Sequence, residues 1–235
     1  MSSSDLPLPD RHAGSDVQHA TLTIDVFFDF ICPWCWIGSR HLKHALSTFT
    51  ARHPDVKPNV RWHAYRLLPE IPAEGVPYQP FYVRRLGSAE AVSARRAQVR
   101  HAGLAAGVAF NFERIGVMPN TQRAHSLIDK YRRPDSGEAL AQRIERVFQA
   151  YFVEGADIGN EDVLRHLEAE FDSAQGPAIA ACAPAAAEPE PGQIAISGVP
   201  YFVFNAAFAV SGAHPPESLL QAMEHAMQAS ASPSP

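Results

Sequence analysis

Apolar residues first fall into a regular pattern at Thr21 to Phe30 (TLTIDVFFDF). Leu22, Ile24, Val26, Phe28 and Phe30 share one face of an extended chain, and Phe27 adds apolar surface to the other. Strand side chains alternate with period two, so apolar residues on both faces predict a central strand. From Ile31 to Phe49 the spacing changes to three and four residues, through Ile37, Leu42, Ala45, Leu46 and Phe49, which predicts a helix. Pro54 and Pro58 end that helix, and Asn59 to Tyr65 (NVRWHAY) predicts a second strand with Val60, Trp62 and Ala64 inward.

Pro69, Pro72, Pro77 and Pro80 mark an irregular crossing, after which the signal is helical to Phe171 with no strand candidate. Ser88 caps a helix reaching Ala106, and Asn120 or Thr121 caps the next, which Pro134 stops. Glu138 to Val153 carries an apolar stripe of Leu140, Ile144, Val147, Phe148 and Tyr151, and Asn160 caps a further helix. Alternation returns at Pro200 to Phe204. A turn at Asn205, Ala206 and Ala207 brings Phe208 to Ser211 back as a hairpin partner. Pro215 or Pro216 opens a last helix with Leu219, Leu220, Met223 and Met227 on one face. The predicted class is α/β, in the order β-α-β, helical block, β-β-α.

Composition narrows the options. The chain has 235 residues, 46% hydrophobic and 19% charged, enough for a real core without staples. A formal net charge of −5 gives no electrostatic reason to approach nucleic acid. No run reaches the ~18 apolar residues that span a bilayer. The polar start MSSSDLPLPDRHAGSDVQHA lacks the pattern of a secretory signal, so a cytosolic location with reduced thiols is expected. The three cysteines, Cys32, Cys35 and Cys182, cannot form a disulfide framework.

The chemistry concentrates in Cys32-Pro33-Trp34-Cys35, between the first strand and the first helix. Three residues is close to one helical turn, so both sulfurs lie on one side of the helix start. Unpaired N–H groups and the helix dipole there favour a thiolate, so the Cys32 thiol is expected to be more acidic than a free one. Cys35, one turn in, is expected to be buried and to resolve the mixed disulfide formed at Cys32. Pro33 fixes a helix-compatible backbone, and Trp34 shields the motif or touches substrate. The competing reading is half of a zinc site, but zinc takes four ligands and Cys182 has no close partner. His41 and His44 read as the solvated face of the helix. No metal, flavin or nicotinamide signature is visible, and the cysteine pair itself is the expected redox group.

IDVFFDFICPWCWIG at 24–38 resembles the start of DsbA-family thioredoxin-fold proteins, and in particular their FrnE-like branch. MPNTQRAHSLID at 118–129 and VFQAYFVEGADIGNEDVL at 147–164 resemble that branch's helical insertion, and ISGVPYFVFNAAFAVSGAHPPESLLQAM at 196–223 its closing hairpin and helix. The resemblance implies a thioredoxin fold at 21–75 and 193–228 and a helical insertion at 76–192. The expected flexible tails are 1–20 and 229–235. It implies thiol-disulfide oxidoreductase or isomerase activity on disulfide- or thiol-containing proteins or small thiols, with glutathione or another dithiol as redox partner. It also implies a cis peptide before Pro200, with Val199 and Pro200 facing the dithiol as the substrate loop. The related 2-hydroxychromene-2-carboxylate isomerases suggest an alternative, a glutathione-dependent isomerase or transferase. Those generally carry Ser where Cys32 stands.

Two departures from the branch stand out. Pro177, Pro184, Pro189 and Pro191 interrupt the stretch before the Gly-Val-Pro loop, and Cys182 is alone and reads as a small core residue. Asp25 and Asp29 lie on the strand leading to Cys32. A buried carboxylate there can accept the Cys35 proton, although a strand-end Asp more often binds backbone N–H. His125 lines a groove or is an interior, hydrogen-bonded histidine. Arg84-Arg85, Arg95-Arg96 and Arg132-Arg133 read as solvated helix faces, and Trp36 as core.

Overall fold

In the computed structural model the period-two segment forms β1 (Ala20–Phe28), and residues 20–133, 137–175 and 196–231 are described. Helix α1 follows (Pro33–Arg52), then β2 (Val56–Ala64). The helical block opens with a two-residue strand β3 (Val76–Pro77), α2 (Tyr78–Leu86) and α3 (Ala89–Ala105). It continues through β4 (Val117–Met118), α4 (Gln122–Asp129), α5 (Gly137–Gln149) and α6 (Glu161–Gln175). One wide helical turn at Ala150–Glu154 extends α5. The hairpin β5 (Tyr201–Phe204) and β6 (Phe208–Ser211) precedes α7 (Pro216–Ala231).

The main sheet runs β2-β1-β5-β6, so β1 is central, as its two apolar faces predict. β1 and β2 are parallel and joined through α1, while β5 pairs with β1, and β6 with β5, antiparallel. Leu22, Ile24, Val26 and Phe28 are all at most 2% exposed, and Asp25 and Phe27 on the other face are buried as well. On α1, Ile37, Leu42, Ala45 and Phe49 turn into the core and α7 covers the same region.

Several expectations are corrected. β2 begins three residues earlier than predicted and includes Pro58, which an edge strand tolerates because no partner needs its missing N–H. Ala64 is exposed rather than inward. The helical block does hold strands, the β3-β4 ribbon, too short to leave a periodic signal. α2 lies where prolines suggested irregular chain: Pro77 is its cap and Pro80 sits in its first turn, where no intrahelical N–H is lost. α7 reaches Ala231, into the stretch expected to be a tail. Ser88 caps α3 by accepting the Ala91 N–H, and Asn160 caps α6 through the Asp162 N–H. Cys182 and the four prolines around it lie outside the described residues. Among the described residues no helix is long and apolar enough to cross a membrane.

Candidate active site

The turn between β1 and α1 is closed by the Cys32 N–H donating to the Asp29 carbonyl at 3.1 Å. Cys32 is the N-cap of α1, with φ −93° and ψ 106°, and its side chain caps nothing. Pro33 opens the helix at a position where the missing N–H costs nothing. The Cys32 thiol donates instead across the fold, to the Val199 carbonyl at 3.5 Å. The Val199–Pro200 peptide is cis. The structure thus brings together Cys32, Cys35, Val199 and Pro200, some 167 residues apart in sequence at the thiol–carbonyl contact.

Gly38 permits that approach. A Cβ there would lie 3.1 Å from Pro200 Cγ and 3.2 Å from Phe202 Cζ, so only a bare backbone lets α1 pack this closely on the loop. The Pro200 carbonyl accepts the Gly212 N–H at 2.8 Å, and Tyr65 donates to the Ile196 carbonyl at 3.2 Å. These bonds tie the loop to β6 on one side and to the end of β2 on the other.

Both cysteines are free thiols. Cys32 is 6% exposed and Cys35 2%. Burial pushes the Cys35 thiol well above its ordinary range, the hydrogen bond and charge of the Cys32 sulfur push it further, and the Asp29 carboxylate adds to this. The Asp29 backbone N–H opposes the shift without cancelling it. Cys35 is therefore protonated at neutral pH.

Asp29 is fully buried. Its carboxylate accepts the Leu67 N–H at 2.7 Å and meets His125 Nε2 at 3.2 Å. The backbone-bound reading of Asp29 holds, and its charge reaches Cys35 as well. His125 is interior, 5% exposed and packed against Phe28 and Phe30. Asp25 accepts from Arg61 Nε at 2.7 Å and Nη2 at 2.6 Å and meets His63 Nε2 at 2.6 Å.

Trp34 is half-buried, with the Arg95 guanidinium 6.0 Å from its ring centre. Trp36 is core: it stacks on Phe148 at 5.9 Å, meets Phe110 edge-on at 5.4 Å and donates to Glu145 at 2.8 Å. This aromatic knot fixes the helical block against the start of α1. Arg84, Arg85 and Arg95 are solvated as expected, but Arg96 and Arg132 are half-buried. Arg132 donates to the Trp62 carbonyl. His44 is exposed, whereas His41 is half-buried and bonded to the His214 carbonyl at 2.8 Å.

Sequence reasoning missed the wall that α2 and α3 raise beside the motif. Tyr82, half-buried on α2, is pushed up to about 12 by burial first and by the nearby Cys32 sulfur second. Tyr78 packs on it edge-to-face at 4.9 Å, and the Arg96 guanidinium lies 5.2 Å from the Tyr78 ring. The signal was available: Tyr78 and Tyr82 are four apart, one helix face, but only once α2 is recognised.

A family model described as "DSBA-like thioredoxin domain" matches residues 23–224. No curated protein sequence matches the chain. Among solved structures, the fold is similar to a probable DsbA oxidoreductase of Streptomyces coelicolor, at 21% identity, covering 91% of this chain and 93% of that one with a TM-score of 0.72. It is similar to the cytosolic disulfide reductase DsbM of Pseudomonas aeruginosa, solved with GSH, at 18% identity, 88% and 99% coverage and a TM-score of 0.55. A 2-hydroxychromene-2-carboxylate isomerase shares the fold at 13% identity, 89% and 98% coverage and a TM-score of 0.50.

Proposed function

The chain belongs to the DSBA-like thioredoxin domain family, and from that premise we propose that it is a thiol-disulfide oxidoreductase working through Cys32 and Cys35. The observation that carries the reading is the Cys32 thiol at the open start of α1, 3.5 Å from the Val199 carbonyl, with a protonated Cys35 buried behind it.

The exchange has two steps. Deprotonated Cys32 attacks one sulfur of a disulfide R–S–S–R′. The Cys32–S–R bond forms, and R′–S⁻ leaves and takes up a proton. Cys35 then loses its proton, with the Asp29 carboxylate as acceptor, and attacks the Cys32 sulfur. The Cys32–Cys35 bond forms and R–S⁻ leaves, so two electrons have passed to the substrate. The same steps in reverse oxidise a substrate dithiol. In the cytosol, where we place the protein, glutathione returns the pair to its starting state. The Val199 carbonyl offers an extended substrate segment a backbone acceptor beside the sulfurs, while Pro33 and Trp34 border the same space. A glutathione-dependent isomerase reading fits less well, because Cys35 would attack any glutathione adduct on Cys32.

Equilibration with glutathione redox buffers, reading the Cys32–Cys35 state by thiol alkylation, tests the proposal. A reversible two-electron transition is expected. A pair that never closes in fully oxidised buffer contradicts it. A midpoint near −270 mV marks a reductase and one near −120 mV an oxidase, by comparison with thioredoxin and DsbA.

A further inference from the structure

We infer that Arg85, Arg95 and Arg96, carried by α2 and α3, form a cationic rim beside Cys32 that selects disulfides flanked by carboxylates, an acidic peptide segment first among them. The inference rests on the proposed exchange reaction and names its substrate class.

Three observations converge. First, position: Arg95 lies over Trp34 inside the Cys-Pro-Trp-Cys motif. Arg96 lies 5.2 Å from the ring of Tyr78, which packs on Tyr82 at 4.9 Å, and Arg85 follows Tyr82 by three residues on α2, on the same helix face. Second, vacancy of counter-ions: among the described residues none of the three pairs with a carboxylate. Arg95 donates to the neutral Gln98 at 2.8 Å and Arg96 to the neutral Gln79 at 2.7 Å. Glu113, whose charge reaches Arg96, is bonded through both oxygens to Arg100, and Glu90 at the start of α3 is engaged with Ser88. Third, clustering: elsewhere Arg40, Arg61, Arg123, Arg146 and Arg165 hold Asp or Glu partners and Arg66 holds the neutral Gln122, whereas these three lie together beside the motif of a chain that carries a net −5. An acidic protein that leaves three guanidiniums without carboxylates beside its nucleophile attracts anionic reactants there and repels cationic ones.

Guanidinium chemistry suits the task. Each is a planar fork that takes a carboxylate through two parallel bonds. The ring contacts of Arg95 with Trp34 and of Arg96 with Tyr78, together with their bonds to Gln98 and Gln79, restrain both side chains, so less side-chain freedom remains to be lost on binding. A substrate strand lying along Val199 with an acidic residue near its cysteine would reach the rim as its sulfur reaches Cys32.

The test uses the full chain and three cystine peptides of equal length, acidic, neutral and basic around the disulfide, with glutathione disulfide as a small carboxylate-bearing arm. At low salt the acidic peptide is expected to give a kcat/KM about tenfold above the basic one, with the ratio shrinking at high salt. The exposed pair Arg85→Gln and Arg95→Gln, combined, should bring the ratio near one while the neutral peptide reacts as before. Lys57→Gln, across from Thr21 at the far end of β1, should leave it unchanged. Loss of glutathione disulfide turnover in the double variant assigns the rim to small thiols as well as acidic segments. Retention of it assigns the rim to extended segments. A wild-type ratio near one, or a ratio unaffected by the double variant, overturns the rim. No turnover of any peptide overturns the exchange reaction instead, so the two failures are distinct.

Discussion

Strand β1 and the turn that leaves it carry two buried aspartates four residues apart, Asp25 and Asp29, each beside a histidine, and they do different work. Asp25 meets Arg61 and His63, both from β2, so its charge is compensated within the sheet. Asp29 meets His125 from α4 and the Leu67 N–H, among the described residues has no arginine bonded to it, and acts on Cys35 through its charge. Burial raises Asp25, but hydrogen bonds from His63 and Arg61 outweigh it and hold the carboxyl below its ordinary range. A compensated carboxylate stabilises a fold. A carboxylate beside a thiol influences where that thiol's proton goes.

Exchanging each carboxylate for an amide separates the two roles. The largest effect is expected at Asp29→Asn: release of substrate from the Cys32 mixed disulfide should slow about 100-fold, the usual scale for a lost general base, while the first attack is unchanged. Single-turnover mass spectrometry reads both steps. Thermal stability should not fall, because Asn still accepts the Leu67 N–H. Equal slowing of both steps would show that Asp29 only shapes the turn.

Asp25→Asn should do the reverse, costing about 1–2 kcal/mol in chemical denaturation with exchange rates unaltered. The figure is kept low because Arg61 is 44% exposed. pH sharpens the contrast. The Asp25 carboxyl is depressed in the folded state, so its contribution is present above the ordinary carboxylate pKa near 3.9 and is lost as pH falls through the folded value. Asp25→Asn should flatten that acid limb. Cys35 is raised, so its contribution is complete below the ordinary thiol pKa near 8.5 and is lost as pH rises beyond it. Cys35→Ala should flatten the alkaline limb of the same stability profile.

The smallest effect belongs to Gly38→Ala. A helix gains about 1 kcal/mol from that change, which offsets crowding against Pro200 and Phe202. Tm should move by only a few degrees, while exchange slows several-fold because the Val199 carbonyl is displaced from Cys32. A shift in stability with no change in rate would detach the loop from the chemistry.

What the sequence disclosed follows from range. The order of strands and helices, the central place of β1 and the cysteine motif are local signals, carried by period and spacing within ten or twenty residues. The partners of Asp29 are not local: Leu67 lies 38 residues away and His125 96. Asp25 and Asp29 look alike in the sequence because the residues that distinguish them sit on β2 and α4. Tyr82 was hidden for another reason, since Pro77 and Pro80 masked the start of the helix that orients it. Val199 and Pro200 were legible only through the family resemblance, as no periodic pattern points from residue 199 to residue 32.

The most direct test of the division of labour between the two sulfurs is trapping with a disulfide peptide in Cys32→Ser and Cys35→Ser variants, mapped by peptide mass spectrometry. The account predicts a long-lived peptide adduct on Cys32 in Cys35→Ser and none on Cys35 in Cys32→Ser. Comparable adducts on either cysteine would contradict it.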